Sequence, residues 1–291
     1  MVSVLSIFYS YSMKVTAHCY DCLKGLAENT VALSGGDNTV LSDAVGLLDR
    51  LWTGQGSPPA IANALLARIR EVTGAYDPFR HMKKLELERA RETAEKLEGL
   101  FGPTLQGAIM FSALGNSTDF FVKGDFSPEP FPFFGPLDKI TGEIYNNKGN
   151  EILILGDNVG DFIFDVRLIR FLEGIGKRVS YAVREHPVQN DLSMQEVVAY
   201  GFHELCRNII STGSDEVGLR EAHIRGAIRD FWEGGAVIIA KGMGNYETIS
   251  EFNTKRPVIH IMKVKCPVVA DNVNRAVGTY IAISGGETNA K

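Results

Sequence analysis

Five short runs in this 291-residue chain gather side chains that could do chemistry. Gly156-Asp157-Asn158-Val159-Gly160-Asp161 supplies a turn and two adjacent oxygen donors. The side-chain oxygens of Asp157 and Asn158 suit a hard divalent cation such as Mg²⁺ or Mn²⁺. The same residues also suit the N-cap of a helix starting near Gly160. Within Arg184–Leu192, Asp191 is a candidate third ligand, or an N-cap in competition with Ser193, and His186 reads as a loop histidine. Ser211-Thr212-Gly213-Ser214-Asp215 offers hydroxyls and backbone N–H groups to a phosphate, or simply makes a Ser/Thr turn. Lys241-Gly242-Met243-Gly244-Asn245-Tyr246-Glu247 is a glycine-rich loop opening a helix, where backbone and helix N-terminus favour an anion. Its lysine precedes the glycines, so it is not a Walker loop. In Lys263-Val264-Lys265-Cys266 a lysine supplies either a point charge for a phosphoryl oxygen or an ordinary surface cation.

What must position these runs is a set of strands. Apolar, β-branched stretches precede each polar run: Ile152–Leu155, Arg178–Val183, Asn208–Ile210, Ala236–Ile239 and Val258–Ile261, with Thr279–Ile283 closing the series. Between them fall amphipathic stretches at Asp161–Leu172, Met194–Tyr200, Gly218–Phe231 and Tyr246–Phe252. Strands alternating with helices predict βαβ units around a mainly parallel sheet. In such sheets ligands bind beyond the carboxyl ends of the strands, where the polar runs stand. The first hundred residues read differently. Asn38–Trp52 carries apolar residues at three- and four-residue steps, Ser57-Pro58 and Asp77-Pro78 are cap-then-proline starts, Gly74 is a stop, and a charged helix spans about Phe79–Leu97. Glu88, Arg91, Glu92 and Lys96 are placed on its solvated faces. Leu105–Leu114 reads as a further helix ending at Gly115-Asn116, and Phe126–Pro136 as an irregular, Pro- and Phe-rich loop. The predicted fold is α/β: a three-layer α/β/α, Rossmann-like core over residues 105–291, plus an N-terminal helical bundle over residues 1–104.

Composition removes several classes of function. The chain is 45% hydrophobic and 22% charged, which is globular rather than disordered. A formal net charge of −5 argues against broad nucleic-acid binding while leaving room for a local basic pocket. No apolar run reaches a membrane span, and Met1–Tyr11 lacks the order of a signal peptide. A cytoplasmic enzyme is expected, with no membrane partner and an unspecified oligomeric state. Neither a Gly-x-Gly-x-x-Gly dinucleotide fingerprint nor a Gly-x-Ser-x-Gly nucleophile elbow follows these strands. Two carboxylates, amides, hydroxyls and two lysines together fit metal-assisted phosphoryl hydrolysis. The rivals are a non-catalytic phosphometabolite- or nucleotide-binding protein, which has no use for Asp157 and Asp191 beside phosphate, and a methyltransferase, which explains neither lysine.

The ordered set Cys19-x-x-Cys22, Gly115-Asn116-x-x-Asp119, the Gly156–Asp161 run, Asn190-Asp191, Ser211–Asp215, the Lys241–Glu247 run and Lys263–Cys266 resembles the damage-control phosphatases. It is most similar to their prokaryotic, cysteine-containing branch. The resemblance implies a helical region on an α/β/α core and hydrolysis of phosphate monoesters of small metabolites, among them sugar phosphates, nucleotides and their damaged forms. It implies a divalent metal (Mn, Ni, Co or Mg) as cofactor and a small phosphorylated metabolite as partner. Asp157, Asn158 and Asp191 match the metal positions. Asn116 matches an asparagine of the catalytic pocket. Ser211, Thr212, Gly213, Lys241, Asn245 and Lys265 match positions lining the substrate's site, and Lys265 is further expected to stabilise charge in the reaction. The family usually has Glu where this chain has Asp161; the shorter side chain argues for a supporting role there.

The four cysteines stand apart. Cys19 and Cys22 are one helical turn apart, and Cys266 directly follows Lys265. Packing, a metal site assembled by Cys19, Cys22 and Cys266 with His18, and a redox role are all open for them. Cys206 has no proposed role.

Overall fold

The computed structural model describes residues 15–53, 57–117, 131–252 and 257–285. Met1–Tyr11, Gly54-Gln55-Gly56, Asp119 and the first part of the Phe126–Pro136 loop lie outside the described residues.

Four helices open the chain: α1 (Ala17–Leu33), α2 (Asn38–Leu51), α3 (Pro58–Thr73) and α4 (Arg80–Leu97). Local chemistry sets their ends. The Asp37 carboxylate accepts the N–H groups of Thr39 and Val40 and caps α2. Pro58 stands at the first helical position of α3, and Gly74 closes that helix with a left-handed φ of 68°. Helix α5 (Leu105–Gly115) follows, capped by the Thr104 side chain on the Gly107 N–H.

The remaining elements are β1 (Phe133–Phe134), α6 (Leu137–Tyr145), β2 (Glu151–Leu155), α7 (Val159–Gly174), β3 (Arg178–Val183), α8 (Met194–Ala199), β4 (Ile209–Ser211), α9 (Gly226–Glu233), β5 (Val237–Lys241), α10 (Gly242–Ile249), β6 (Val258–Lys263), α11 (Pro267–Val273) and β7 (Tyr280–Ser284). The seven strands form one sheet in the order β1-β7-β6-β5-β2-β3-β4. Strands β2 to β6 run parallel, whereas β7 is antiparallel to β6 and carries β1 parallel to itself. Strand parity divides the core into layers. Ile152, Ile154 and Ile239 pack with α5 and α7 on one face, and Leu153, Leu155, Ile238 and Ala240 pack with α9 and α10 on the other. The fold is therefore the three-layer α/β class expected.

Three expectations are corrected. The stretch Gly218–Phe231 is not one helix: positive φ at Gly218 (74°) and Gly226 (54°) leave only a short 3₁₀ turn, Glu221–His223, before α9. The helix expected at Tyr246–Phe252 begins at Gly242, at the very end of β5, and stops at Ile249. The end of the Phe-rich loop also supplies a strand, Phe133–Phe134, rather than remaining wholly irregular.

From β2 the chain moves outward through β3 to β4, then returns to the opposite side of β2 with β5. The reversal opens between the ends of β2 and β5, the crevice in which open α/β sheets hold ligands. Helices α3 and α4 lie over this end. Asn63 exchanges hydrogen bonds with the Val217 backbone (3.2 and 2.8 Å), and Arg70 pairs with Asp215 at 2.7 Å while donating to the Pro187 carbonyl. Buried Lys83 joins Asp77 (2.9 Å) to Glu196 (2.6 Å) at the start of α8.

Candidate metal and phosphate site

The chain after β3 turns back and lies antiparallel to the chain after β2. The Val159 N–H donates to the Asn190 carbonyl (2.9 Å), and the Leu192 N–H donates to the Asp157 carbonyl (2.8 Å). These bonds flank Asn158 and Asp191, which face each other as a bridge pair. In this arrangement the opposed residues exchange no backbone bonds and their side chains approach most closely. Two residues separated by α7 and β3 are thereby set side by side, both almost fully buried.

Asn158 stands at the N-cap of α7, but its side chain makes no capping bond. The capping reading of this residue therefore fails for its side chain. The first turn of α7 is served from another element: Glu86 of α4 accepts the Gly160 N–H at 3.0 Å.

Asp157 points across the sheet toward β5. A Cβ on Gly242 would lie 1.8 Å from its Oδ2, so only glycine, here at φ 74°, permits this approach. Asn116, just past the end of α5, donates through Nδ2 to Asp157 Oδ2 (2.9 Å) and to Asp161 Oδ2 (2.8 Å), and its Oδ1 accepts the Lys263 N–H. Burial, reinforced by Asp191 and then Asp161, pushes the Asp157 carboxyl well above the usual carboxylate range, while Lys265 and Arg184 pull it back. Burial also raises Asp161 to about 6 against the opposing pull of Lys241. Asp191 is held by the Arg184 guanidinium at 2.8 Å. Asp161 Oδ1, Arg184 Nη2 and Asn245 Oδ1 are buried polar atoms without a hydrogen-bond partner among the described residues.

This donor set fits a hard divalent cation. It presents oxygens only, with more buried negative charge than local cations offset. Asp157, Asn158 and Asp191 are the residues that would hold the metal. No group of three or more His, Cys, Asp and Glu side chains is arranged to hold a metal among the described residues, so a cation here would have to be held by two carboxylates and an amide.

The other expected residues divide. Lys265 follows β6, and its ammonium lowers both Asp157 and Asp161 by charge, which puts it electrostatically at the site. Lys241 is turned away from the crevice. It is fully buried, 2.8 Å from Asp165, and donates to the carbonyl and hydroxyl of Ser112. Strand parity explains this: Lys241 shares the face of Ile239, toward α7, where Asp165 waits. Asn245 is also fully buried, donating to the Gly156 (3.1 Å) and Lys241 (2.8 Å) carbonyls, so it braces the turn beneath Asp157. Ser211, Thr212 and Gly213 lie at the end of edge strand β4, with β3 between them and β2. Their polar groups are engaged locally: Ser211 Oγ donates to the Glu185 carboxylate and accepts the Gly213 N–H, Thr212 Oγ1 donates to the Ser214 carbonyl, and the Gly213 carbonyl accepts from Arg225.

All four cysteines are free thiols. Cys266 Sγ accepts the Val269 N–H and caps α11. Burial, with Glu247 adding to it, pushes the Cys266 thiol to about 11 and raises Cys22 as well. Such thiols are protonated near neutral pH and are poor nucleophiles.

Residues that sequence reasoning missed stand behind the expected ones: Glu86, Ser112, Asp165, Tyr181 and Arg184. One signal was available. Ser112 and Asn116 are four apart, as are Asp161 and Asp165, so each pair lies on one helical face.

The family model for the damage-control phosphatase ARMT1-like domain matches residues 15–281. The chain belongs to that family. It is 28% identical to the damage-control phosphatase PH1575 of Pyrococcus horikoshii, over 93% of this chain and 98% of the relative, and 25% identical to a damage-control phosphatase of Archaeoglobus fulgidus, over 93% and 99%. An uncharacterized protein of Methanocaldococcus jannaschii, MJ0202, is 23% identical over 97% of this chain. The crystal structure of a DUF89 family protein from Pyrococcus horikoshii superposes with a TM-score of 0.80 at 26% identity, covering 92% of this chain and 98% of the other. Membership supports phosphatase activity at the level of the family.

Proposed function

We propose that this chain is a cytoplasmic, metal-dependent phosphatase that hydrolyses phosphate monoesters of small metabolites: sugar phosphates, nucleotides or damaged forms of them. The observation that carries this reading is the backbone ladder that sets Asn158 against Asp191 beside an undercompensated Asp157. A divalent cation there (Mn, Ni, Co or Mg) would neutralise this charge, polarise a phosphoryl oxygen and activate water. The chain's own groups do the rest. Asn116 donates to Asp157 Oδ2 and so fixes the orientation of the carboxylate that would help hold the cation. Arg184 orients Asp191, and Asn245 fixes the Gly156 turn. The Lys265 ammonium offsets charge developing on the phosphoryl group.

The test is release of phosphate from p-nitrophenyl phosphate and a panel of sugar phosphates and nucleotides, with each of the four metals and with chelator. Metal-dependent release that disappears in Asp157→Ala and Asp191→Ala is expected. Tight nucleotide binding without turnover under every metal would replace this reading with the non-catalytic one. Lys265→Ala is expected to lower turnover more than metal affinity; unchanged turnover would remove Lys265 from the site.

A further inference from the structure

We infer that Glu86, carried by the charged helix α4, is a positioning residue for the metal ligands. This inference rests on the phosphatase reading and deepens it. The carboxylate is fully buried. Each of its oxygens holds a different segment of the ladder: Oε1 accepts the Gly160 N–H (3.0 Å) and Oε2 accepts Asn190 Nδ2 (2.9 Å). Gly160 lies two residues after Asn158, and Asn190 lies one before Asp191. Two further cross-links, Val159 N–H to the Asn190 carbonyl and Leu192 N–H to the Asp157 carbonyl, are neutral backbone bonds. Glu86 adds two charge-assisted bonds from outside the ladder, stronger than neutral ones.

Helix α7 gives the second reason. Its first-turn N–H groups need acceptors, and an asparagine at the N-cap would ordinarily supply one. Asn158 does not. With Glu86 on the Gly160 N–H, the cap is served by a negative charge at the positive end of the helix, and Asn158 is spared that duty. Glu86 therefore sets the spacing of Asn158 and Asp191, and through it the helical region acts on the metal centre without touching substrate.

The bond between Glu86 and Asn190 can be reversed by exchanging acid and amide. In Glu86→Gln with Asn190→Asp, the glutamine NH₂ donates to an aspartate, and the single glutamine oxygen still accepts the Gly160 N–H. Asn190→Asp alone sets two carboxylates against each other. Mn²⁺ affinity measured calorimetrically on the full chain, with kcat and KM for p-nitrophenyl phosphate alongside, separates the cases. Glu86→Ala and Asn190→Asp are each expected to weaken Mn²⁺ binding about 10–100-fold, the usual range for groups that orient metal ligands, and the exchanged pair is expected to recover most of it. KM is expected to change less than metal affinity. Unchanged Mn²⁺ affinity in a folded Glu86→Ala chain, or an exchanged pair no better than Asn190→Asp alone, overturns the inference. If Glu86→Ala does not fold, the exchanged pair against its single variants decides it. A parent chain that binds no divalent cation overturns the phosphatase reading as well, which distinguishes the two failures.

Discussion

Two buried carboxylate clusters lie along the start of α7, one around Asp157 just before the helix and one around Asp165 within it, and their surroundings are opposite. Asp165 is met by the Lys241 ammonium at 2.8 Å, by the Ser112 hydroxyl at 2.5 Å and by the Tyr181 hydroxyl at 2.8 Å. Its charge is matched by a cation of the chain itself. Asp157 has the Asn116 amide on one oxygen and no ion pair among the described residues, and Asp191 and Asp161 crowd it. Burial is comparable in both. The Asp165 cluster is complete with residues the chain provides; on the function proposed above, the Asp157 cluster would take a cation from outside. Asp161 stands between them, tied to Asp157 through Asn116 and lowered by the charge of Lys241. The helices meet closely enough for this because position 115 is glycine: a Cβ there would lie 3.1 Å from the Asp161 Cα and 3.0 Å from the Phe164 Cβ.

The sharpest way to break the contrast is to remove the internal cation. Lys241→Met leaves Asp165 buried and unpaired and is expected to destabilise the fold by about 3–5 kcal/mol in urea unfolding. A loss of turnover with little loss of stability would instead return Lys241 to the substrate's site.

Asp161 sharpens it next, through pH. Its folded-state pKa of about 6 exceeds the ordinary 3.8, so the folded chain binds the proton more tightly than the unfolded chain. Protonated Asp161 carries no penalty below about pH 4; the penalty grows as pH rises and is full above about 6. In chelator, Asp161→Asn is therefore expected to match the parent near pH 4 and to exceed it by roughly 3 kcal/mol at most near pH 7.5. Urea titrations at the two pH values check this, and a difference independent of pH would contradict it.

Asn116→Ala removes the amide shared by Asp157 and Asp161. A fall of about 10–100-fold in metal affinity is expected, with a smaller change in stability, read by calorimetry and urea unfolding together. Ser112→Ala tests the complete cluster most gently. It is expected to cost about 1–2 kcal/mol of stability and to leave metal affinity unchanged.

The same contrast explains how much could be read from the residues alone. Asp157 and Asn158 were legible because an apolar strand followed by Gly-Asp-Asn leaves polar groups at the carboxyl edge of a parallel sheet. Asp191 was legible as a strand-end residue, but the antiparallel ladder that brings it to Asn158 is a tertiary event that no local pattern encodes. Lys241 was placed at the right strand end and on the wrong face. Parity along Ile239–Lys241 already pointed it toward the α7 layer, but the partner, Asp165, is 76 residues away. Glu86 was hidden for another reason. In a helix as charged as α4, a buried carboxylate has the same spacing as the solvated ones, and only the docking of that helix on α7 distinguishes it. The helix ends at Asp37, Gly74 and Thr104 follow from local capping chemistry, and the start of α3 from Pro58 at its first position, since the Ser57 side chain makes no capping bond. The irregular path through Gly218–Gly226 depends on left-handed glycines that composition alone does not reveal.

The central claim, that the Asp157 cluster is completed by an external cation and the Asp165 cluster is not, is tested most directly by calorimetric titration of Mn²⁺ into the chelator-stripped chain, into Asp157→Asn and into Ser112→Ala. Saturable binding in the parent, its loss in Asp157→Asn and its retention in Ser112→Ala is the result expected. Parent-like binding in Asp157→Asn, or no binding in the parent, would contradict it.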